Sequence, residues 1–258
     1  MIQAIKVGST RFYKVEGVEG LFPSVTSVLG SVLKTEALEN WKRGLILSNL
    51  KERLAKSQAT DRLKPFAEEF DRARKMAEKA PQEVLAISSE FGIRAHSVCE
   101  TLAQGKQLSQ KEMSPDMVPI ISAFKKWQDQ MKINIVSVET PIFSLTHRYA
   151  GCVDALATRT DEHGNTIRLV LDWKTSASVY PTYAMQIAAY ARALEEREAS
   201  PDFKIDEGWI VRFDKSQPIF EAHRITDIDA AFRGFRSALS LWRFLNSSSI
   251  YDSPIKTT

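Results

Sequence analysis

The chain has 258 residues, of which 43% are hydrophobic and 26% are charged, and such fractions are typical of a folded globular protein and exclude a disordered one. Since a domain usually spans about 100 to 200 residues, we expect one elaborated domain or two small ones. The 35 basic and 32 acidic residues give a formal charge of +3, which excludes a protein whose whole surface coats nucleic acid. Two cysteines, Cys99 and Cys152, are too few for a disulfide framework, a four-cysteine zinc site or an iron–sulfur cluster.

The first half of the chain is predominantly helical by its composition. Residues 2–15 are rich in β-branched and aromatic side chains and predict two short strands. Ser24 is a suitable N-cap for a helix that begins at Val25. Residues 35–105 are rich in Ala, Leu, Glu, Lys and Arg and predict further helices, and another helix is predicted over residues 115–131.

The second half alternates between strands and helices. Short apolar segments separated by turn residues predict five strands, and two amphipathic segments predict helices. The strands are predicted over residues 133–144, 149–158, 167–175, 203–214 and 219–225, and the helices over 181–198 and 227–245. The pattern predicts an α/β core with a helical addition.

We divide the chain by this change of character. We expect residues 1–130 to form a β-hairpin and helical region, residues 131–245 to form the α/β core and residues 246–258 to form a flexible tail, with the first two regions integrated into one domain. No stretch of residues is apolar over a membrane-spanning length, so no membrane partner is expected.

Positive charge is concentrated in one helical segment. Between Lys34 and Ala80 there are 12 basic and 8 acidic residues, which is a net charge of +4. Such a segment fits a helical wall that grips the phosphate backbone of a nucleic acid. An ordinary solvated helix surface fits it equally well.

One strand ends in a charged pair. Leu169-Val170-Leu171 is a continuous apolar run of the kind found in a sheet that is covered on both faces, and Asp172-Trp173-Lys174 follows it. Because side chains alternate along a strand, Asp172 and Lys174 project to the same face. An isolated motif of this kind is more often a simple ion pair than a catalytic site.

A second carboxylate precedes the first by 18 residues. Asp154 is predicted at the end of the adjacent strand, so that a hairpin would bring Asp154 and Asp172 to one edge of the sheet. Gly151 would allow a neighbour to approach closely just ahead of it. Two carboxylates can hold a divalent cation, with Lys174 acting on a water or phosphate beside it. A turn aspartate is the simpler alternative for Asp154.

Two helices carry the remaining polar residues. His96 lies one turn after Gly92 and flanks the apolar stripe of its helix, where it could be a ligand or a surface histidine. Gln186 and Tyr190 are four residues apart and so are neighbours on one helix face. Their amide and phenol groups could hold Asp172 and Lys174 in place or bind a phosphate. In the simpler alternative, Tyr190 is a half-buried packing residue and Gln186 is exposed to solvent.

The four motifs in this order resemble the PD-(D/E)XK nuclease superfamily, specifically its RecB-like branch, which is marked by G-x-x-x-H, G-x-x-D, D-x-K and Q-x-x-x-Y. Upstream, residues 22–29 and the triplet at 41–43 resemble the group that contains the mitochondrial genome maintenance exonuclease and its phage relatives. The resemblance covers about residues 22–194. It implies a restriction-endonuclease-like fold, a mixed β-sheet flanked by helices.

The resemblance also implies a role for each matched residue. His96, Asp154, Asp172 and the backbone carbonyl of Trp173 would bind Mg²⁺ or Mn²⁺, and His96, Asp154, Asp172 and Lys174 would be catalytic, with Lys174 positioning or activating the attacking water. Four further residues would support the site and contact the DNA: Gln186, Tyr190, Thr175 and Ser176. The carboxylate next to His96 cannot be named from the sequence.

The substrate and the setting follow from the same resemblance. It implies exonucleolytic hydrolysis of DNA, single-stranded or with single-stranded ends, in DNA repair or recombination, with replication or recombination proteins as partners. Some RecB-like relatives carry a four-cysteine iron–sulfur cluster, which the two cysteines of this chain exclude. A structure-specific endonuclease of the same superfamily and a DNA-end-binding protein that does not cleave remain alternatives. The first 14 residues have no signal-peptide core, so we expect the cytoplasm of a bacterium or a phage-infected cell, although a processed mitochondrial matrix chain would look alike.

Overall fold

The computed structural model describes residues 2–8, 10–33, 36–60, 66–198, 200 and 202–247. The chain forms two compact units: Met1–Leu33 with Ala95–Thr258, and Lys34–Arg94. The predicted boundary near residue 130 follows the change from helices to strands and stays a prediction, and most of the predicted tail lies outside the described residues. Among those described, no helix is both long enough and apolar enough to cross a membrane.

The smaller unit is helical, as its composition predicts. It contains α2 (Glu36–Thr60), α3 (Phe66–Ala77) and the first part of α4 (Ala80–Ala103). Helices α2 and α3 pack against each other, and Arg53 of α2 reaches to 3.6 Å from the sulfur of Met76 in α3.

The larger unit begins with a small antiparallel sheet and a capped helix. The sheet consists of β1 (Ile2–Val7), β2 (Thr10–Val15) and β3 (Leu21–Pro23) in that order. Ser24 then accepts a hydrogen bond from the Ser27 backbone N–H at 3.0 Å and caps α1 (Val25–Val32), as predicted. Strand β3 was not predicted, because three residues are too few to show an alternating pattern.

The main sheet has five strands in chain order, which are β4 (Asn134–Ser144), β5 (Tyr149–Thr160), β6 (Thr166–Lys174), β7 (Glu207–Phe213) and β8 (Phe220–Arg224). Neighbouring strands are antiparallel except β6 and β7, which are parallel and are connected through α6 (Pro181–Arg197). The other helices are α5 (Val118–Met131), after a 3₁₀ turn at Pro115–Met117, and α7 (Ile228–Leu245). The predicted mixed α/β fold, with a mixed sheet flanked by helices, is confirmed.

The two faces of the main sheet carry different cores. On one face, Val170 and Ile210 pack with apolar side chains of α1, α6 and α7. Trp173 packs edge to face with Phe124 of α5, with ring centres 5.7 Å apart. The sheet is therefore covered near the end of β6, as the apolar run before Asp172 predicts.

Candidate active site

The site forms where strands β5 and β6 separate. Their ladder ends at the pair Ala155 and Leu171, although β5 stays paired with β4 and β6 with β7 beyond that point. Asp154 and Asp172 are the next residues past the last pair. Here the backbone N–H of Trp173 donates to Asp154 Oδ2 at 2.8 Å instead of to the backbone of β5. The prediction that Asp154 ends its strand is wrong: it lies inside β5, and the ladder to β6 ends beside it.

Asp172 is the most enclosed polar residue of the site. It is fully buried, and its Oδ2 atom forms an ion pair with Lys174 Nζ, so both side chains lie on one face as predicted. Its Oδ1 atom accepts a hydrogen bond from Gln186 Nε2 at 2.7 Å. Because Gln186 is only 8% exposed, it braces the carboxylate and does not lie in solvent.

The charges of this pair depend strongly on each other. Burial and repulsion by Asp154 raise the pKa of Asp172 to about 6, although the ammonium of Lys174 acts in the opposite direction. Burial also opposes the charge on Lys174, but the carboxylates of Asp172 and Asp154 together outweigh it and raise the pKa of Lys174 above its usual value. Lys174 is therefore an ammonium group at neutral pH.

Helix α4 brings His96 to the second carboxylate. His96 Nδ1 lies 3.4 Å from Asp154 Oδ2, and the imidazole is edge to face with the ring of Trp173. Burial acts to lower the pKa of His96, but Asp154 outweighs it and raises that pKa. Although burial acts to raise it, the pKa of Asp154 is lowered by His96, by Lys174 and by the Trp173 N–H. Asp154 is thus the partner of His96 that the sequence could not name.

Tyr190 is buried behind the carboxylates. Its hydroxyl accepts a hydrogen bond from Gln186 Nε2 at 3.2 Å, and its ring packs directly on Gly151. The close approach predicted at Gly151 therefore has a specific neighbour. The burial of Tyr190 and Gln186 supports a bracing role, whereas their contact with DNA stays a prediction.

The loop after β6 carries the two remaining predicted residues. Thr175 and Ser176 are half-buried, and the Ser176 hydroxyl donates to the carbonyl of Ser178 at 2.7 Å. Their contact with substrate stays a prediction. Two neighbours were not predicted: the Tyr183 ring lies 4.9 Å from Lys174 Nζ, and Glu139 Oε2 accepts from Cys152 Sγ at 3.3 Å. Tyr183 lies about one helical turn before Gln186, and this spacing is the one sequence signal that could have indicated it. No sequence signal indicated Glu139.

The predicted metal ligands match the chemistry of Mg²⁺ or Mn²⁺ only in part. Asp154 and Asp172 supply the carboxylate oxygens that these ions prefer. Repulsion by Asp154 contributes to the raised pKa of Asp172, and a bound cation would relieve this repulsion. In the described ranges, however, no group of three His, Cys, Asp or Glu side chains is arranged to hold a metal ion. Two carboxylates therefore fit the ion, whereas ligation by His96 and by the Trp173 carbonyl stays a prediction.

Part of the positive charge of the helical unit is paired with acidic side chains of the same unit. Lys42 pairs with Glu39 at 2.8 Å, and Arg74 pairs with Glu78 at 2.7 Å. Such exposed pairs are typical of a solvated helix surface. A role of this unit in gripping DNA stays a prediction.

Comparison with known proteins adds little to this geometry. No family model and no curated protein matches the chain. The crystal structure of SSO0001 aligns with a TM-score of 0.30 and 13% sequence identity, over 61% of this chain and 74% of that one.

Proposed function

We propose that the protein is a divalent-metal-dependent nuclease that hydrolyses phosphodiester bonds of DNA, acting on single-stranded ends. The observation that carries the proposal is the buried Asp172, which contacts Lys174 and Gln186 beside Asp154 where two strands separate. Three of the four motifs of the resemblance meet at this point, and His96 of the fourth contacts Asp154.

The cost of this arrangement supports a catalytic role. A buried ion pair loses the hydration of both ions, and replacement by packed apolar residues is often neutral or stabilising. Asp172 and Lys174 are therefore poor choices for stability alone. An ammonium beside a phosphate would orient the attacking water and stabilise the negative charge that builds on the phosphoryl oxygens.

The remaining residues would hold this pair in place. Asp154 and Asp172 would be ligands of Mg²⁺ or Mn²⁺, which when bound polarises the phosphate and lowers the pKa of a water molecule. Gln186 and Tyr190 would fix the Asp172 carboxylate, and His96 would orient Asp154. Replication or recombination partners remain a prediction of the resemblance, and the cellular compartment remains an expectation from the sequence.

The test is cleavage of end-labelled single-stranded DNA in Mg²⁺ or Mn²⁺, with EDTA as the blank. We expect Lys174→Ala and Asp172→Asn to lose activity by at least about a hundredfold, since the first removes the ammonium beside the phosphate and the second removes a carboxylate ligand of the metal ion. Lys204→Ala, at an exposed loop position, is the matched control. Circular dichroism confirms that each variant is folded. Full activity in both site variants would contradict the proposal.

One observation favours a second candidate, a DNA-end-binding protein that does not cleave. Over the described part of the chain, no three-residue metal group is formed, and Lys174 already neutralises Asp172. A DNA-end-binding protein of this kind would bind labelled DNA equally with and without EDTA and would leave the DNA intact. Cleavage of covalently closed circular single-stranded DNA distinguishes an endonuclease from an exonuclease, because an enzyme that requires an end does not cut a circle.

A further inference from the structure

Two tyrosine rings extend from the proposed active site along the start of α6. Lys174 Nζ lies 4.9 Å from the ring centre of Tyr183, and that ring meets the ring of Tyr180 edge to face at 5.5 Å. Tyr183 is half-buried, whereas Tyr180 keeps 42% of its surface exposed. Two ring contacts therefore connect the ammonium group to an aromatic side chain that is open to solvent.

The register of the main sheet leads from the same site to a cavity. Asp172 of β6 is paired with Ile210 of β7, and Ile210 is paired with His223 of β8. Paired residues share a face of the sheet, and neighbouring strands are about 4.8 Å apart. Ile210 and His223 both line the cavity, and so does Tyr180. The cavity thus begins one strand away from Asp172.

The size and lining of the cavity restrict what it can hold. Its volume is about 370 Å³, near the lower end of the roughly 300–1,000 Å³ found for small-molecule sites. Tyr180, Ile210 and Ile225 are among its apolar and aromatic lining residues, and His223, Arg224 and Asp227 are among its polar ones. The Arg224 guanidinium donates to Glu207 and the Asp227 carboxylate accepts from the Ala230 N–H, so His223 is the polar side chain of these three that is not used in those contacts. A flat heteroaromatic ring with polar atoms on its edge fits this lining.

We infer that this cavity binds one unpaired nucleobase of the DNA strand whose phosphate lies at Asp172 and Lys174, with the base stacked on Tyr180. The inference rests on the proposed function, because the strand comes from the proposed active site. A base that is still paired in a duplex cannot enter such a pocket. The cavity would therefore select single strands, and stacking on one aromatic ring contributes roughly tenfold to a hundredfold in affinity.

The test uses short single-stranded oligonucleotides, each with one abasic residue at a different position near the labelled end. KM and kcat are measured in Mn²⁺ for the full-length protein and for Tyr180→Leu. We expect one abasic position to raise KM of the wild type about tenfold or more. Tyr180→Leu should raise KM on the intact strand by a similar factor and no longer respond to that position, whereas Tyr180→Trp should restore the response.

The control is Phe244→Leu, which removes an aromatic ring that is 57% exposed on α7. It should leave the abasic profile as in the wild type. Additive effects of Tyr180→Leu and the abasic residue, or equal KM at every position, would overturn the inference, because independent sites give additive free energies.

A binding measurement separates this inference from the proposed function. An oligonucleotide with 2-aminopurine at successive positions is titrated with protein in EDTA, where no cleavage is expected. Quenching at one position that is lost in Tyr180→Leu supports the base site even if the wild type cleaves nothing in metal. Absence of such quenching overturns the base site even if the protein proves to be an active nuclease.

Discussion

The ring of Tyr190 occupies the space that a side chain at Gly151 would need, with Tyr190 Cε1 only 2.6 Å from the position of a Cβ atom there. Tyr190 accepts a hydrogen bond from Gln186, and Gln186 donates to Asp172. The small residue on β5 therefore sets the position of the group that holds the buried carboxylate. A methyl group at residue 151 would be felt at Asp172 through this chain of contacts.

We expect Gly151→Ala to destabilise the protein by about 1–3 kcal/mol, because overpacking forces the buried ring to move. Nuclease activity should fall more than stability alone explains, since Gln186 loses its position. Urea unfolding and initial cleavage rates check the two effects. Gly30→Ala in α1 is the control, because a Cβ atom there meets nothing within 4 Å. Wild-type activity in folded Gly151→Ala would contradict this coupling.

Gln186→Leu should be the more damaging of two changes in the bracing pair. It leaves the buried Asp172 Oδ1 atom without its 2.7 Å donor, which costs about 1–3 kcal/mol. Tyr190→Phe removes only the 3.2 Å bond between the two side chains and should cost less in both stability and cleavage rate. Parallel unfolding and rate measurements compare them. A larger loss in Tyr190→Phe would show that the phenol has a role of its own.

The sequence predicted most of the main sheet because its strands are separated by clear turn residues. The alternation of side chains also placed Asp172 and Lys174 on one face, and the ion pair between them confirms that step. The position of Asp154 was predicted wrongly. Nothing in the local pattern shows where two strands stop pairing, and a hydrogen bond from the Trp173 backbone replaces the ladder there.

Side-chain contacts between elements that are far apart in the chain could not be predicted from the sequence. The carboxylate beside His96 depends on how α4 packs near β5, and no spacing in the chain specifies that packing. The sequence pattern does not distinguish Tyr183 from other residues of its helix, although its ring lies beside Lys174. The order of the motifs predicted which residues come together, and tertiary packing decided which atoms touch.

A cluster at the start of β7 should make stability depend on pH. The Glu207 carboxylate accepts hydrogen bonds from Arg159 at 2.7 and 3.1 Å, from Trp209 Nε1 at 2.8 Å and from Arg224 at 3.1 Å. Burial acts to raise the pKa of Glu207, but these donors outweigh it and lower the pKa below its usual value. The stabilisation is therefore present above the ordinary carboxyl pKa and is lost as the pH falls through the lowered one.

Glu207→Gln should consequently be less stable than the wild type at pH 7, by about 1–3 kcal/mol. The difference should shrink as the pH falls below the ordinary glutamate pKa of about 4.3 and through the lowered pKa of Glu207. Urea unfolding over this pH range measures it. Glu162→Gln, at a side chain that is 86% exposed, is the control and should change stability at pH 7 much less than Glu207→Gln does. A gap that stays constant with pH would mean that Glu207 stabilises by packing and not by charge.

His96 provides the sharpest test of the metal prediction, because its Nδ1 atom lies 3.4 Å from Asp154 Oδ2 and it could act either as a ligand or by orienting Asp154. We expect His96→Ala to weaken Mn²⁺ binding about tenfold to a hundredfold, as loss of a group that orients a ligand does. Titration calorimetry with Mn²⁺ and no DNA measures this separately from catalysis.

His163→Ala is the matched control, since that imidazole is exposed in the turn between β5 and β6. His96→Asn keeps a polar group beside Asp154 and should restore part of the affinity if the role is orientation. An unchanged Mn²⁺ affinity in His96→Ala would place His96 outside the metal site, and the two carboxylates would then have to bind the ion without it.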